Sequence, residues 1–177
     1  MLTQIDAGAR NYPALFLALD DVLEAVEDGR PDELALQRSF EDSADAYGAD
    51  KALFLMVEER GPLRLRAVAS RGLSAQEVSA AEGGLSVPGI SASRIREALE
   101  EGATVMVQDS ERIAGGVKTA ALRGRPSSVL CAPVVEPRTG NVLAVLYLQN
   151  QRAFGELDRA WIEVYARALG RALAMAQ

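Results

Sequence analysis

The run Ser128-Val-Leu-Cys-Ala-Pro-Val-Val135, the turn Pro137-Arg-Thr-Gly140 and the run Val142-Leu-Ala-Val-Leu-Tyr-Leu148 decide the fold. Residues 128 to 135 and 141 to 149 are apolar and β-branched, and turn formers separate them, which predicts two strands joined as a hairpin. Strand parity places Leu143, Val145 and Tyr147 on one face and Ala144, Leu146 and Leu148 on the other, where the small Ala144 allows a helix close approach.

Working outward, the chain after the hairpin reads as a helix from about Glu156 to the end, with Leu157, Trp161, Val164, Tyr165, Ala168, Leu169, Ala172 and Leu173 on one face. At the other end, Leu15, Leu19, Val22, Leu23 and Val26 recur at helical steps across residues 13 to 27. A second helix carries Leu34, Leu36, Phe40, Ala44 and Tyr47 and stops at Gly48. Ala52 to Val57 is apolar throughout and reads as a strand inside a sheet, whereas Leu63, Leu65, Ala67 and Ala69 alternate with Arg64, Arg66 and Ser70 as a hairpin partner nearer an edge. Ser74 and Glu77 form a capping-box pair for a short helix over 75 to 82 that ends at Gly83-Gly84. Ser91 or Ser93 caps a further helix carrying Ile95, Ala98 and Leu99, with Gly102 in its C-terminal position. A short strand follows at Thr104 to Val107, and residues 109 to 127 read as an irregular crossing loop.

With 177 residues the chain makes one domain, able to bury about two thirds of its surface. It carries neither an apolar run long enough for a bilayer nor a signal peptide, so the cytoplasm is the default expectation, with no membrane partner. The charge of −6 repels phosphate backbones and argues against nucleic acid. The short match of Arg123-Gly-Arg-Pro126 to a minor-groove hook reads instead as a loop entering the next strand. There is no histidine, and Cys131 is the single cysteine, which removes histidine-based triads, zinc and haem sites and intrachain disulfides; no cofactor is expected. Composition thus favours binding over catalysis.

The hairpin, Asn150, Phe154 and the closing helix, with Ile90-Ser-Ala-Ser-Arg-Ile95 and Glu100-Glu-Gly-Ala-Thr-Val-Met-Val-Gln-Asp109, resemble a GAF domain. They resemble the GAF domains placed ahead of the ATPase in sigma-N-dependent bacterial activators, and related ones in bacterial kinases and cyclases. The resemblance covers roughly 32 to 176 and divides the chain into a helical dimerisation or linker segment, 1–31, and the domain proper, 32–177. It implies an α+β sandwich: a mostly antiparallel sheet of five or six strands, the first beside the last, terminal helices on one face, and short helices and loops closing a pocket on the other.

GAF domains that bind cyclic nucleotides commonly use a lysine–aspartate pair to fasten the closing helix. Here Asn150, Phe154 and Asp158 remain, but Gln151 stands where the lysine belongs, so the pairing charge is missing and Arg152 is the candidate substitute. The resemblance places a hypothetical ligand pocket at Val145 and Tyr147 on the sheet, Ile90, Ser91 and Ile95 on the lid helix, and Asp109, Ile113 and Val117 on the crossing loop. Tyr147 could hold a ligand or make a structural hydrogen bond, and Asp109 could line the pocket mouth or cap a turn. Cys131 lies within an apolar strand with no basic residue adjacent in sequence and reads as a small core hydrophobe; the resemblance adds that free methionine sulfoxide reductases of this family use a set of cysteines that one cysteine cannot supply. The expected function is a non-catalytic bacterial module that senses a small organic effector and regulates an ATPase, kinase or cyclase domain in the same or another chain. Homodimerisation through the terminal helices is expected, because their apolar stripes exceed what one sheet face needs. The alternatives are a ligand-free interaction module, its pocket filled by Met106 and leucines, and a redox-active enzyme.

Overall fold

A computed structural model describes residues 10–27, 33–61, 63–85, 87–108 and 128–175. Among these, strands β1 (Lys51–Arg60), β2 (Leu63–Arg71), β3 (Val105–Gln108), β4 (Ser128–Val135) and β5 (Val142–Asn150) form one antiparallel sheet in the order β2-β1-β5-β4-β3. The first strand lies beside the last, which explains why Ala52 to Leu55 are apolar without alternation: each has a strand on both sides and a core on each face. The dyadic run Leu63 to Ser70 occupies the edge.

Helices α1 (Ala14–Glu27), α2 (Glu33–Tyr47) and α5 (Glu156–Met175) share one face of the sheet, and α3 (Ala75–Glu82) and α4 (Ala92–Glu101) lie on the other. Helix α2 packs on β2, α5 packs on β4, and α1 packs against both helices, burying Leu15, Ala18, Leu19 and Val22. Phe40, Phe54, Leu130, Leu146, Tyr165 and Leu169 fill the space between. Opposite, Leu53, Leu55, Ile95, Val105, Val129, Cys131, Val145 and Tyr147 form a separate core.

Local signals act as the sequence predicts. The Ser74 hydroxyl accepts from the Glu77 amide at 3.2 Å and Glu77 returns to the Ser74 amide at 2.7 Å, so the capping box starts α3. Gly102 ends α4 in the left-handed region, and Ser91 precedes it as N-cap, though without a side-chain capping bond. Parity fails at two places. In β2 the pairing with β1 skips Val68, so Leu65 and Ala67 stay on the face under α3 and α4 while Val68 and Ala69 turn to the terminal helices, which breaks the alternation expected from Leu63 to Ala69. The β4–β5 register slips between Val134 and Val135, pairing Val135 with Val142 and Val134 with Ala144, so Leu143 is the extra residue of a bulge. Leu143 therefore turns to the core under the terminal helices, and Val142 takes the opposite face. Met106, expected to fill the pocket side, also packs under the terminal helices.

Candidate functional site

Five of the predicted site residues come together where the core under α4 meets the C-terminal end of β5. Val145 and Tyr147 are fully buried on β5, and Ile90 and Ile95 pack over them. The Tyr147 hydroxyl accepts from the Ser91 amide at 3.2 Å and donates to Gln149 Oε1 at 2.6 Å, so both its functions are met inside the protein. Burial pushes its phenol above the ordinary range. Asp109, Ile113 and Val117 lie outside the described residues.

Beside this pair sits an ion pair that the sequence did not suggest. Lys51 Nζ donates to Glu77 Oε1 at 2.6 Å and to the Gly89 carbonyl at 3.1 Å, tying the start of β1 to α3 and to the turn that leads into α4. Gly89 has φ +102, and a Cβ there would fall 2.0 Å from Glu77 Oε1, so only glycine lets the chain pass the pair. The lysine bond, and then the Ser74 amide, hold the Glu77 carboxyl below the usual range. The signal was available: Lys51 is one of only two lysines in the chain.

The end of β5 carries a second polar cluster. Asn150 Nδ2 donates to the Gly48 carbonyl at 2.7 Å, fastening β5 to the turn between α2 and β1. The Phe154 amide donates to Ser128 Oγ at 3.0 Å, while the Gln108 amide group donates to the Phe154 carbonyl. Asp158 lies in the first turn of α5, where a carboxylate suits the helix dipole, and its Oδ2 accepts from the Gly155 amide at 2.8 Å. Its other oxygen accepts from Tyr12 at 2.8 Å and Arg10 Nε at 3.2 Å, and the Arg10 guanidinium lies 5.1 Å over the Phe154 ring. The missing charge is thus supplied by Arg10, from the other end of the chain. Burial and the Asp158 carboxylate raise the Tyr12 phenol to about 12.

The sequence matches the GAF domain family over residues 33–173, four fifths of the chain. This chain belongs to the GAF family. No curated protein sequence matches it. Among solved structures, the GAF domain of A. aeolicus nlh2 in an inactive state is similar at 14% identity and a TM-score of 0.61, covering 95% of this chain and 100% of that one. The GAF domain of a phosphoenolpyruvate-protein phosphotransferase from Coxiella burnetii is similar at 20% identity and 0.61, covering 94% and 96%. The free methionine-R-sulfoxide reductase from Neisseria meningitidis, in complex with its substrate, is similar at 17% and 0.64, covering 99% and 98%.

These neighbours correct the expected function. A GAF fold of this shape is carried by reductases as well as by domains of signalling-type proteins, so membership in the family assigns neither effector sensing nor the absence of catalysis. In this GAF domain Cys131 is fully buried between Val105 and Tyr147, and burial pushes its thiol far up. Its native thiol is therefore expected to be silent to a thiol-reactive disulfide reagent and to react only at the rate of unfolding. Stoichiometric reaction within seconds in native buffer would refute this. At the opposite end of the central strands the GAF domain has an open groove of about 540 Å³ lined by Val57, Leu63, Leu99, Val142 and the C-terminal turn of α4. Among the described residues no group of three or more acidic or cysteine side chains is placed to hold a metal, and no helix is long and apolar enough to cross a membrane.

Proposed function

We propose that this GAF domain is a protein-interaction module that self-associates through the outer face of α1 and α5. The observation that carries the reading is where the apolar side chains left in water lie. Phe16, Leu17 and Leu23 on α1 and Leu157, Val164 and Met175 on α5 make up most of the exposed large hydrophobics among the described residues. Three of them, Phe16, Leu157 and Val164, gather around Trp161. Phe16 meets the edge of Trp161, Trp161 stacks on Tyr12 at 5.6 Å, and Leu157 and Val164 lie one turn either side of Trp161. An exposed apolar cluster of this kind supports reading the face as an interface. Aromatic anchors with aliphatic neighbours are what the centre of an interface uses.

Light scattering coupled to gel filtration tests it. The protein is expected at twice its chain mass, and Phe16→Glu with Val164→Glu at the chain mass, because Phe16 is 48% and Val164 44% exposed and neither carboxylate would enter the core. Equal masses for both, with the fold intact by circular dichroism, would refute the reading. The same preparation should be assayed with free methionine-R-sulfoxide and a thiol reductant. Turnover lost in Cys131→Ser would replace an interaction module with an enzyme.

A further inference from the structure

Among the described residues the sheet is open, and no strand covers the outer side of β2. At the middle of that edge the pairing with β1 slips. Leu55 faces Ala67 and Phe54 faces Ala69, leaving Val68 as the extra residue of a bulge. Two backbone groups at the slip are taken by side chains. The Ala67 amide donates to Glu82 Oε1 at 2.7 Å, and the Val68 carbonyl accepts from Gln37 Nε2 at 3.0 Å. Glu82 ends α3 on one face of the sheet, and Gln37 rises from α2 on the other. The two side chains close the same edge from opposite sides.

We propose that Gln37 and Glu82 are edge guards whose role is to keep β2 from pairing with β2 of a second copy. Charge alone does not protect this strand. Arg66, on its wet side, is already neutralised by Glu58 at 2.8 Å and Glu33 at 3.3 Å, which removes much of the repulsion that two copies would feel. The middle of the strand, Leu65-Arg66-Ala67-Val68-Ala69, contains neither proline nor glycine to stop it pairing. A side chain that occupies a backbone donor or acceptor denies it to an incoming strand, and here two side chains do so at the bulge.

The test uses the full chain carrying Phe16→Glu and Val164→Glu, so that association through the helical face is removed from the readout. Adding Gln37→Ala and Glu82→Ala is expected to give a mass at least double that of the parent, rising with concentration, together with an intermolecular β signal in the amide I infrared band. Glu82→Gln keeps an oxygen that accepts from Ala67, and is expected to stay at the parent mass. A doubly substituted chain that folds cooperatively and keeps the parent mass across the concentration range overturns the proposal. If that chain does not fold, Glu82→Ala alone carries the test, and parent mass at the highest concentration overturns it equally.

Discussion

Asp158→Ala is expected to destabilise the domain by about 3 kcal/mol, the usual consequence of removing one partner of a buried ion pair, or a fall in Tm of roughly 6 to 12 °C at this chain length. The side chains of Arg10 and Asp158 are 14% and 8% exposed, so solvent screens the pair little. The substitution leaves Arg10 with the Tyr47 carbonyl and the Phe154 ring as partners, takes the acceptor from Tyr12 and removes the acceptor for the Gly155 amide at the start of α5. Arg10→Ala should cost less, since Tyr12 and Gly155 still satisfy the carboxylate. The two changes together should fall short of their sum by about 1 kcal/mol or more, as coupled residues do. Additive losses, or a loss below 1 kcal/mol for Asp158→Ala, would show that the pair is incidental.

Gly170→Ala should also destabilise, against the usual ranking of helix formers. Alanine in place of glycine stabilises a helix interior by about 1 kcal/mol. Here, however, a Cβ would lie 2.3 Å from the Val135 carbonyl oxygen and 3.2 Å from its carbon. The obstacle is backbone of β4, which α5 packs against, and it cannot step aside as a side-chain tip can. Forcing α5 off the sheet should outweigh the propensity gain and leave a net loss of about 2 kcal/mol, at the upper part of the overpacking range. A rise in Tm would show that the helix lifts at no cost.

The contrast between these two sites marks what could be read from the residues. Periodicity, caps and turn residues are local, and they led to all ten described elements; the placing of the first strand beside the last came from the resemblance to GAF domains. The Arg10–Asp158 pair is not local. A search for a substitute near Gln151 looks at Arg152, because spacing carries no information about a residue separated by almost the whole chain. The orientation of Leu143 was lost for a different reason: one bulge at Val135 reverses parity, and nothing in an unbroken apolar run announces it. At the candidate site, Ile90, Ser91, Ile95, Val145 and Tyr147 do converge, since strand parity beyond the bulge and the helix period both hold there. The Lys51–Glu77 pair escaped because the capping box already accounted for Glu77.

Two cores that share no side chain, divided by a single layer of hydrogen-bonded backbone, also separate two evolutionary tasks. Substitutions among Leu53, Leu55, Ile95, Val129, Cys131 and Val145 alter one compartment and leave the packing of the three long helices on the other side untouched. Their energetic effects should add to those of changes across the sheet, so chemistry can drift on one side while foldability is inherited on the other. A scaffold arranged in this way can exchange one use for another by small steps, each of which remains folded. That is consistent with a phosphotransferase domain and a sulfoxide reductase both sharing this shape with the chain at 20% identity or less.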